Sequence, residues 1–257
     1  MRILSLGAGV QSSTLAMMAE HEELPKLDAA IFADTGWEPK SVYTQLEWLK
    51  KNVSFPIYTV SAGNLKNDLI SANNTTGQRF SAVPFFTEKG GIGRRQCTSE
   101  YKIIPVQKKI RELMGYKPRK HVKGVCELWI GISLDEIQRM KPSQKKWIKH
   151  EFPLIENRIT RMDCMEWFRD NGYPEPVKSS CLGCPFHSNQ MWQELKDYSP
   201  EEFEDAVYMD KIIRNGGSKM EYKQYMHKNL KPLSEIDFVG NDHADLFGNE
   251  CDGFCNT

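Results

Sequence analysis

The sequence predicts an α/β fold, a parallel twisted sheet flanked by helices, with a smaller helical and cysteine-rich part at its C-terminal end. Short apolar runs at Ile3–Leu6 and Ala29–Ala33 have the length and composition of buried strands, and a third strand is expected at Pro56–Val60. Helical patterns separate these runs, and the first of them places Leu15 and Met18 on one face. Strands that alternate with helices of about a dozen residues are typical of βαβ units, and such units build a parallel sheet.

The alternation continues beyond the third strand. A helix is expected at about Ile103–Met114, and a further buried strand is expected at Leu128–Ile132. The segments 73–93 and 141–157 show no clean period, so we expect both to be irregular. Right-handed crossovers then place the turns that follow the strands at one edge of the sheet, which is where open α/β sheets bind ligands.

The part of the chain after residue 157 is predicted to be helical. Thr160-Arg161-Met162-Asp163 has the form of a capping box before a helix that continues through Phe168. Ser199-Pro200-Glu201-Glu202 begins another helix, with proline in its first position. We therefore divide the chain into an α/β domain over residues 1–157 and a helical region that carries a cysteine metal site over residues 158–257.

Composition argues against several classes of protein. Lys+Arg and Asp+Glu each number 34, so the net charge gives no reason to expect a nucleic-acid or membrane partner. No apolar stretch reaches the ~18 residues that cross a bilayer, and the first residues are too short an apolar run for a signal peptide. Seven cysteines, an odd number, fit a reducing compartment better than a disulfide framework. We therefore expect a cytoplasmic protein without membrane contact.

The charges are unevenly distributed along the chain. Between Arg94 and Lys149 there are 15 Lys/Arg and five Asp/Glu, whereas Ser234–Thr257 has six Asp/Glu and no Lys/Arg. This asymmetry is typical of a phosphate-facing flank and an acidic tail, and equally of two solvated surfaces of opposite sign. The sequence leaves both interpretations open.

A glycine-containing turn follows the first predicted strand. The segment Ser5–Thr14 reads SLGAGVQSST: its glycines let backbone N–H groups approach an anion, its hydroxyls can donate, and a helix N-terminus follows. It lacks the Lys-Ser/Thr ending of a Walker A loop and the third glycine of a dinucleotide-binding fingerprint. The turn by itself therefore fits a phosphate site or an ordinary strand-to-helix connection.

Three motifs in the same order resemble the adenine-nucleotide α-hydrolase superfamily. They are Gly9–Ser13 (GVQSS), Phe32–Glu38 (FADTGWE) and Gly131–Arg139 (GISLDEIQR). Over residues 1 to about 185 the chain is most similar to phosphoadenosine-phosphosulfate (PAPS) reductases and N-type ATP pyrophosphatases, including enzymes that insert sulfur into DNA and tRNA. The resemblance implies a Rossmann-like, HUP-type fold. The pyrophosphatases usually have an aspartate where this chain has Gln11, and PAPS reductases are more similar at that position.

The resemblance also implies roles for individual residues. Asp34 and Gly36 would flank the nucleotide, although Asp34 also fits a capping residue at a strand-to-helix turn. Arg139 would clamp the anionic end, although it also fits a surface arginine in a basic run. The phosphate cradle would comprise Ser5, Gly7, Gly9, Gln11, Ser12 and Ser13.

The cysteines suggest a metal site. Cys181 and Cys184 form a C-x-x-C with glycine inside it, and Cys251 and Cys255 form a second pair in a glycine turn. Such pairs fit zinc, an iron–sulfur cluster or a redox dithiol. By resemblance to cluster-containing sulfonucleotide reductases, Cys97 is a fifth candidate ligand. Zinc would take the two pairs, whereas a 4Fe-4S cluster would take Cys97, the C-x-x-C and one tail cysteine.

Two remaining thiols and three candidate catalytic residues complete the assignment. Cys126 lies just before a predicted apolar strand and Cys164 lies inside a predicted helix, and both are expected to be core residues. The candidate catalytic residues are Arg139, Lys102 from the segment around Cys97, and Cys251, since Glu250-Cys251 resembles the start of the reductase tail that carries the catalytic thiol.

The sequence leaves three functions open. In the leading one, an ATP pyrophosphatase uses ATP and Mg²⁺ to adenylate an acceptor, DNA or tRNA, and sulfur from a donor such as a cysteine desulfurase then replaces the adenylated oxygen. In the second, a sulfonucleotide reductase uses a tail thiolate to attack PAPS and releases sulfite. In the third, the chain is a non-catalytic, metal-stapled nucleic-acid-binding protein.

Overall fold

The computed structural model describes residues 1–71, 83–214 and 222–238. The strands are β1 (Arg2–Leu6), β2 (Ala29–Asp34), β3 (Ile57–Ser61), β4 (Phe86–Thr87), β5 (Cys126–Ile130), β6 (Ile148–Glu151) and β7 (Gln224–Tyr225). The α-helices are α1 (Val10–Glu20), α2 (Lys40–Asn52), α3 (Leu65–Ser71), α4 (Ile104–Leu113), α5 (Pro153–Glu156), α6 (Arg161–Asp170), α7 (Asn189–Tyr198) and α8 (Pro200–Arg214). A π-helical turn, Thr98–Ile103, runs directly into α4, and 3₁₀ turns lie at Leu134–Arg139 and Leu233–Glu235.

Five strands form one sheet in the order β3-β2-β1-β5-β6, and every neighbouring pair is parallel. The predicted α/β fold with a parallel sheet is therefore confirmed. The chain moves outward from β1 to β3 on one side and then returns to β5 on the other side of β1. Clefts for ligands form at such a switch point, beyond the carboxyl ends of the two central strands.

The two faces of β1 pack into separate apolar clusters because alternate residues of a strand point to opposite faces. Leu4 packs with α1, α2 and α6, whereas Ile3 packs with α4 and the neighbouring strands. Helix α1 contacts both α2 and α6 and is buried from Val10 to Ala19. The central strand and its helix are thus held on all sides, which fixes the turn that joins them.

The structure corrects the expectation that 141–157 is irregular. This segment contains β6, which pairs in parallel with β5, and the short helix α5. Strand β6 has the sequence IKHE, and only Ile148 is buried, because β6 is one of the two edge strands of this sheet. Edge strands often carry charged residues, which hides them from a search for apolar runs.

The helices after residue 157 complete the apolar clusters. Thr160 and Asp163 form the predicted capping box of α6, whose Cys164 and Phe168 are buried in the same cluster as α1. Helices α7 and α8 pack with Trp37 in another cluster. The boundary at residue 157 stays a prediction. In the described part of the chain, no helix combines the length and the apolar character needed to cross a membrane.

Candidate functional site

The glycine turn joins β1 to α1 at the carboxyl edge of the sheet. Ala8 has a positive φ of 53°, and the N–H of Gly7 donates to Ser12 Oγ at 3.2 Å, so the turn is tight. Gly9 is the N-cap residue of α1, where no side chain caps the helix, and the first turn has no acidic residue. The partial positive charge of the helix N-terminus is therefore not offset by side chains of this helix, and such an end attracts anions.

Two glycines are required by close packing around this turn. A Cβ on Gly9 would overlap Ser179 Oγ and lie 3.1 Å from Ser179 Cβ. A Cβ on Gly131, just after β5, would lie 2.9 Å from the main-chain nitrogen of Ser12. The turns after β1 and β5 thus touch directly, and the segment before the C-x-x-C closes over them.

Gln11 has a different environment from the one expected of a phosphate ligand. Its side chain is fully buried, and Nε2 donates to Glu136 Oε2 at 3.0 Å and to Ser133 Oγ at 3.4 Å. Arg161 donates to its Oε1 at 3.4 Å. The side-chain amide of Gln11 therefore connects the glycine turn to the 133–139 motif. If Gln11 contributes to an anion site, it does so through its main-chain N–H.

Arg139 bonds the same glutamate, Glu136, as Gln11 does. Its guanidinium lies 2.5 Å from Glu136 Oε1, and its side chain is only 13% exposed. This burial rules out the alternative of a surface arginine in a solvated basic run. Glu136 accepts from both Arg139 and Gln11, so the guanidinium lies near the glycine turn, and its role as an anion clamp stays a prediction.

The hydroxyls of the predicted cradle are buried. Ser5, Ser12 and Ser13 are each less than 5% exposed. Ser12 is engaged within the turn, but Ser13 Oγ has no hydrogen-bond partner among the described residues. An unpaired buried hydroxyl is uncommon in a native structure and calls for an explanation.

The turn after β2 is held by its own side chains. Asp34 Oδ1 accepts from the N–H of Gly36 at 2.7 Å and from Tyr43 OH at 2.8 Å. Burial and the bond to Asp34 raise the pKa of Tyr43 above its usual value, so the phenol stays protonated. Gly36 has φ +70°, and a Cβ there would lie 2.6 Å from Asn64 Nδ2. Asp34 therefore closes the turn after β2 rather than capping the following helix, since α2 has Pro39 as its N-cap and no side-chain cap.

Glu38 is a site residue that sequence reasoning missed. It is 6% exposed, and its Oε1 accepts from Thr35 Oγ1 at 3.0 Å and from Cys181 Sγ at 3.2 Å. The ammonium of Lys102 lies 3.4 Å from the same oxygen. A carboxylate four residues after Asp34, in a turn that the resemblance already marked, was the available signal.

Glu38 lies beside a small pocket that is partly open to solvent. The predicted residues Cys97, Cys181, Cys184 and Lys102 all line it. The other lining residues are Thr35, Trp37, Leu65, Val83, Pro84, Arg95, Thr98, Gly183 and Phe186. We call this the thiol pocket. The structure thus brings together three of the five predicted ligands with one predicted catalytic residue.

The cysteine loop, residues 178–187, packs on the turns that follow β1 and β2. The N–H of Leu182 donates to Trp37 O at 2.9 Å, and a Cβ on Gly183 would overlap the indole of Trp37. Ser180 Oγ and His187 Nε2 are 2.7 Å apart. Burial, and then the charge of Lys178, lower the pKa of His187 to about 3, so its imidazole is neutral at physiological pH.

No family model matches the chain, and a search of curated proteins finds no match. Among solved structures, the chain is similar to a phosphoadenylyl-sulfate (PAPS) reductase from Candida auris in its phosphate complex. The two are 12% identical, with 68% of this chain and 74% of that chain covered, and the TM-score is 0.41.

The described residues alone do not complete a metal centre. Three thiols line one pocket, which is the donor type that zinc and iron–sulfur clusters require. However, no group of three or more His, Cys, Asp or Glu side chains within the described ranges is arranged to hold a metal ion, and Cys181 contacts Glu38. Cys251 and Cys255 lie outside the described residues. The metal site therefore stays a prediction. Cys126 and Cys164, as expected, are fully buried in the core.

Proposed function

We propose that this protein is an enzyme that binds an adenine nucleotide at the edge formed by the glycine turn and Asp34–Gly36, and that it activates an acceptor for sulfur insertion. One observation carries the proposal: the cysteine loop contacts the glycine turn at Ser179 and lines the thiol pocket with Cys181 and Cys184. Gly9 packs on Ser179, which is two residues before Cys181. Sulfur chemistry at the pocket would therefore take place next to the nucleotide phosphates.

The charged residues of the site suit adenylation. Main-chain N–H groups at the start of α1 would hold the phosphates, while Arg139 and Lys102 would supply positive charge as pyrophosphate leaves. Mg²⁺ bound with ATP is coordinated largely by phosphate oxygens and water, and would add to this neutralisation. The carboxylates of Asp34 and Glu38 already accept hydrogen bonds from neighbouring donors.

The basic region supports an extended acceptor such as DNA or tRNA. Lys141 O lies 3.0 Å from His150 Nδ1 in β6, and Lys145 O accepts from the N–H of Ile148 at its start. The loop after β5 thus returns alongside β6, away from the glycine turn, and carries exposed Lys141, Lys145 and Lys146. A row of exposed cations that leads away from the site suits a polyanion longer than a mononucleotide.

Arg111 connects this row of lysines to the basic segment 117–123. Its guanidinium donates to the carbonyl oxygens of Lys117 and Lys120, at 3.1 and 2.6 Å, and lies 5.9 Å from the ring centroid of Trp147. Residues 117–123 precede β5 and therefore lie at the edge opposite the glycine turn, about 16 Å away for a five-residue strand. The part of the basic region around Arg111 and residues 117–123 therefore does not face the phosphate site, whereas Lys102 and Arg139 of the same region lie close to it.

A second candidate function is sulfonucleotide reduction. The specific observation is that Cys181 Sγ donates to Glu38 Oε1, since a buried carboxylate beside a thiol can accept its proton. A thiolate of the thiol pocket or of the tail would attack the sulfur of PAPS and displace adenosine bisphosphate. A second thiol, from the protein or from a thiol reductant, would then attack the S-sulfonate, forming a disulfide and releasing sulfite. The glycine turn would hold the nucleotide in either reaction.

Two assays separate the candidates. Pyrophosphate release from Mg-ATP should rise when DNA or tRNA and a cysteine desulfurase with cysteine are added, whereas a reductase would release sulfite from PAPS with a thiol reductant. The matched control is Gly9→Val, whose side chain should block backbone approach to the phosphates and abolish either activity. Because this side chain also meets Ser179, the comparison uses Gly9→Val protein that a thermal-unfolding experiment shows to be folded. A wild-type protein that retains nucleic acid but is inactive in both assays would favour the non-catalytic binding protein.

A further inference from the structure

Two buried hydroxyls next to the glycine turn have no hydrogen-bond partner among the described residues. Ser13 lies in the first turns of α1 and is 0% exposed, and Ser179 of the cysteine loop is 4% exposed. The neighbouring Thr14 is in the same helix and bonds back to Val10 O at 2.9 Å, which Ser13 does not do for Gly9. An unmet buried hydroxyl costs about 1–3 kcal/mol, so two at one turn need a reason.

Ser179 is directed at the N-terminus of α1. Its hydroxyl occupies the place where a side chain on Gly9 would begin, and its main-chain nitrogen would lie 3.2 Å from such a Cβ. Gly9 provides no capping group, so the first turn of α1 and the hydroxyl of Ser179 meet without a side chain between them. Hydroxyl and N–H donors that converge at a helix N-terminus are the donor set that binds a tetrahedral oxyanion.

We propose that Ser179 is an anion ligand that the cysteine loop contributes to the glycine turn. With Ser13 and the first N–H groups of α1, its hydroxyl donates to a phosphate or sulfate oxygen. This inference rests on the proposed nucleotide site and adds a ligand from a segment about 170 residues away in sequence. Both hydroxyl oxygens are covered by neighbouring atoms in this structure, so the cysteine loop must give way at Ser179 when the anion enters.

The placement of Ser179 couples the anion to the thiol pocket. Cys181 is two residues further along the same loop and contacts Glu38, and Leu182 is bonded to Trp37. A shift at Ser179 therefore changes the environment of the Cys181 thiol. Occupancy of the phosphate site and the state of the thiols would then depend on each other, which is the linkage that a nucleotide-dependent sulfur reaction requires.

The test is calorimetric titration of the full-length protein with ATP and with inorganic phosphate, using Ser179→Ala. The variant should bind both ligands about tenfold more weakly, equivalent to about 1.4 kcal/mol. Its melting temperature without ligand should equal or exceed that of the wild type, because a hydroxyl without a partner is removed. The control is Ser180→Ala, which breaks a bond to His187: it should lower the melting temperature but leave both affinities unchanged.

Each outcome bears on a different claim. If the wild type binds ATP and Ser179→Ala binds it equally well, or if Ser179→Ala unfolds, the role of Ser179 is wrong while the nucleotide site stands. If the wild type binds phosphate through Ser179 but not ATP, the anion ligand stands and the nucleotide proposal is wrong. A wild type that binds neither ligand overturns both.

Discussion

The contact between Gly9 and Ser179 gives the sharpest prediction for the fold of the site. We expect Gly9→Ala to destabilise the protein, because the new Cβ would overlap Ser179 Oγ and lie 3.1 Å from its Cβ, and displacing the cysteine loop to accommodate it has a cost. Overpacking of this kind costs about 1–3 kcal/mol. For a chain of this size, each kcal/mol lowers the melting temperature by about 2–4 °C. The expected loss is therefore about 2–12 °C in a thermal-unfolding experiment.

A second substitution makes this prediction specific. Ser179→Gly in the Gly9→Ala background removes the two atoms that clash and leaves the nearest contact at 3.2 Å from the main-chain nitrogen, so most of the lost stability should return. Gly124→Ala is the matched control, since its Cβ would meet only the flexible tip of Met114 at 3.2 Å. A Gly9→Ala protein as stable as the wild type, or a double variant without recovery, would refute the packing argument.

Three further predictions concern charge, pH and metal. Replacing Lys141, Lys145 and Lys146 with Gln should flatten the salt dependence of nucleic-acid binding by roughly one logarithmic unit per lost phosphate contact, and a wild type that retains no DNA or RNA at low salt contradicts this. The folded-state pKa of His187, about 3, lies below its unfolded value, so its contribution to stability is present above about pH 6.5 and is lost as pH falls toward 3. Unfolding by urea should show about 2 kcal/mol lost between pH 6.5 and pH 5, and His187→Phe should remove this slope. Anaerobically purified protein should carry iron and sulfide, or otherwise one zinc, and a metal-free Cys181→Ala protein that keeps its fold would reject an essential metal.

Local sequence patterns were sufficient for the central architecture. The predicted strands that became β1, β2, β3 and β5 are short and mostly apolar. Their observed ends lie within two residues of the predicted ones. The capping box at Thr160 was also predictable from the sequence, because its two hydrogen bonds join residues only three apart. Strand β6 was missed since its stability comes from pairing with β5 rather than from its own composition.

The candidate site was harder to predict because its contacts are long-range. Cys181 was predicted to be a metal ligand from its spacing, but the bond that the structure shows, to Glu38, joins residues 143 apart. Ser179 carries no motif at all, and its importance arises from a glycine about 170 residues earlier. The opposite orientation of Gln11, toward Glu136 rather than toward a phosphate, is likewise set by a neighbouring loop.

The glycine inside the C-x-x-C has a consequence for how such motifs are interpreted. Gly183 lies flat against the indole of Trp37, and even one methyl group there would overlap the ring, whose Cζ2 would be only 2.8 Å away. The second variable position is thus restricted by an aromatic side chain from the β2 turn, independently of any chemistry at sulfur. A homologous chain that keeps Trp37 but replaces both cysteines should still retain this glycine, and one that exchanges the tryptophan for a small residue should tolerate other residues there. In this protein, the glycine of the motif is required by its contact with the indole, and only the cysteines bear on sulfur chemistry.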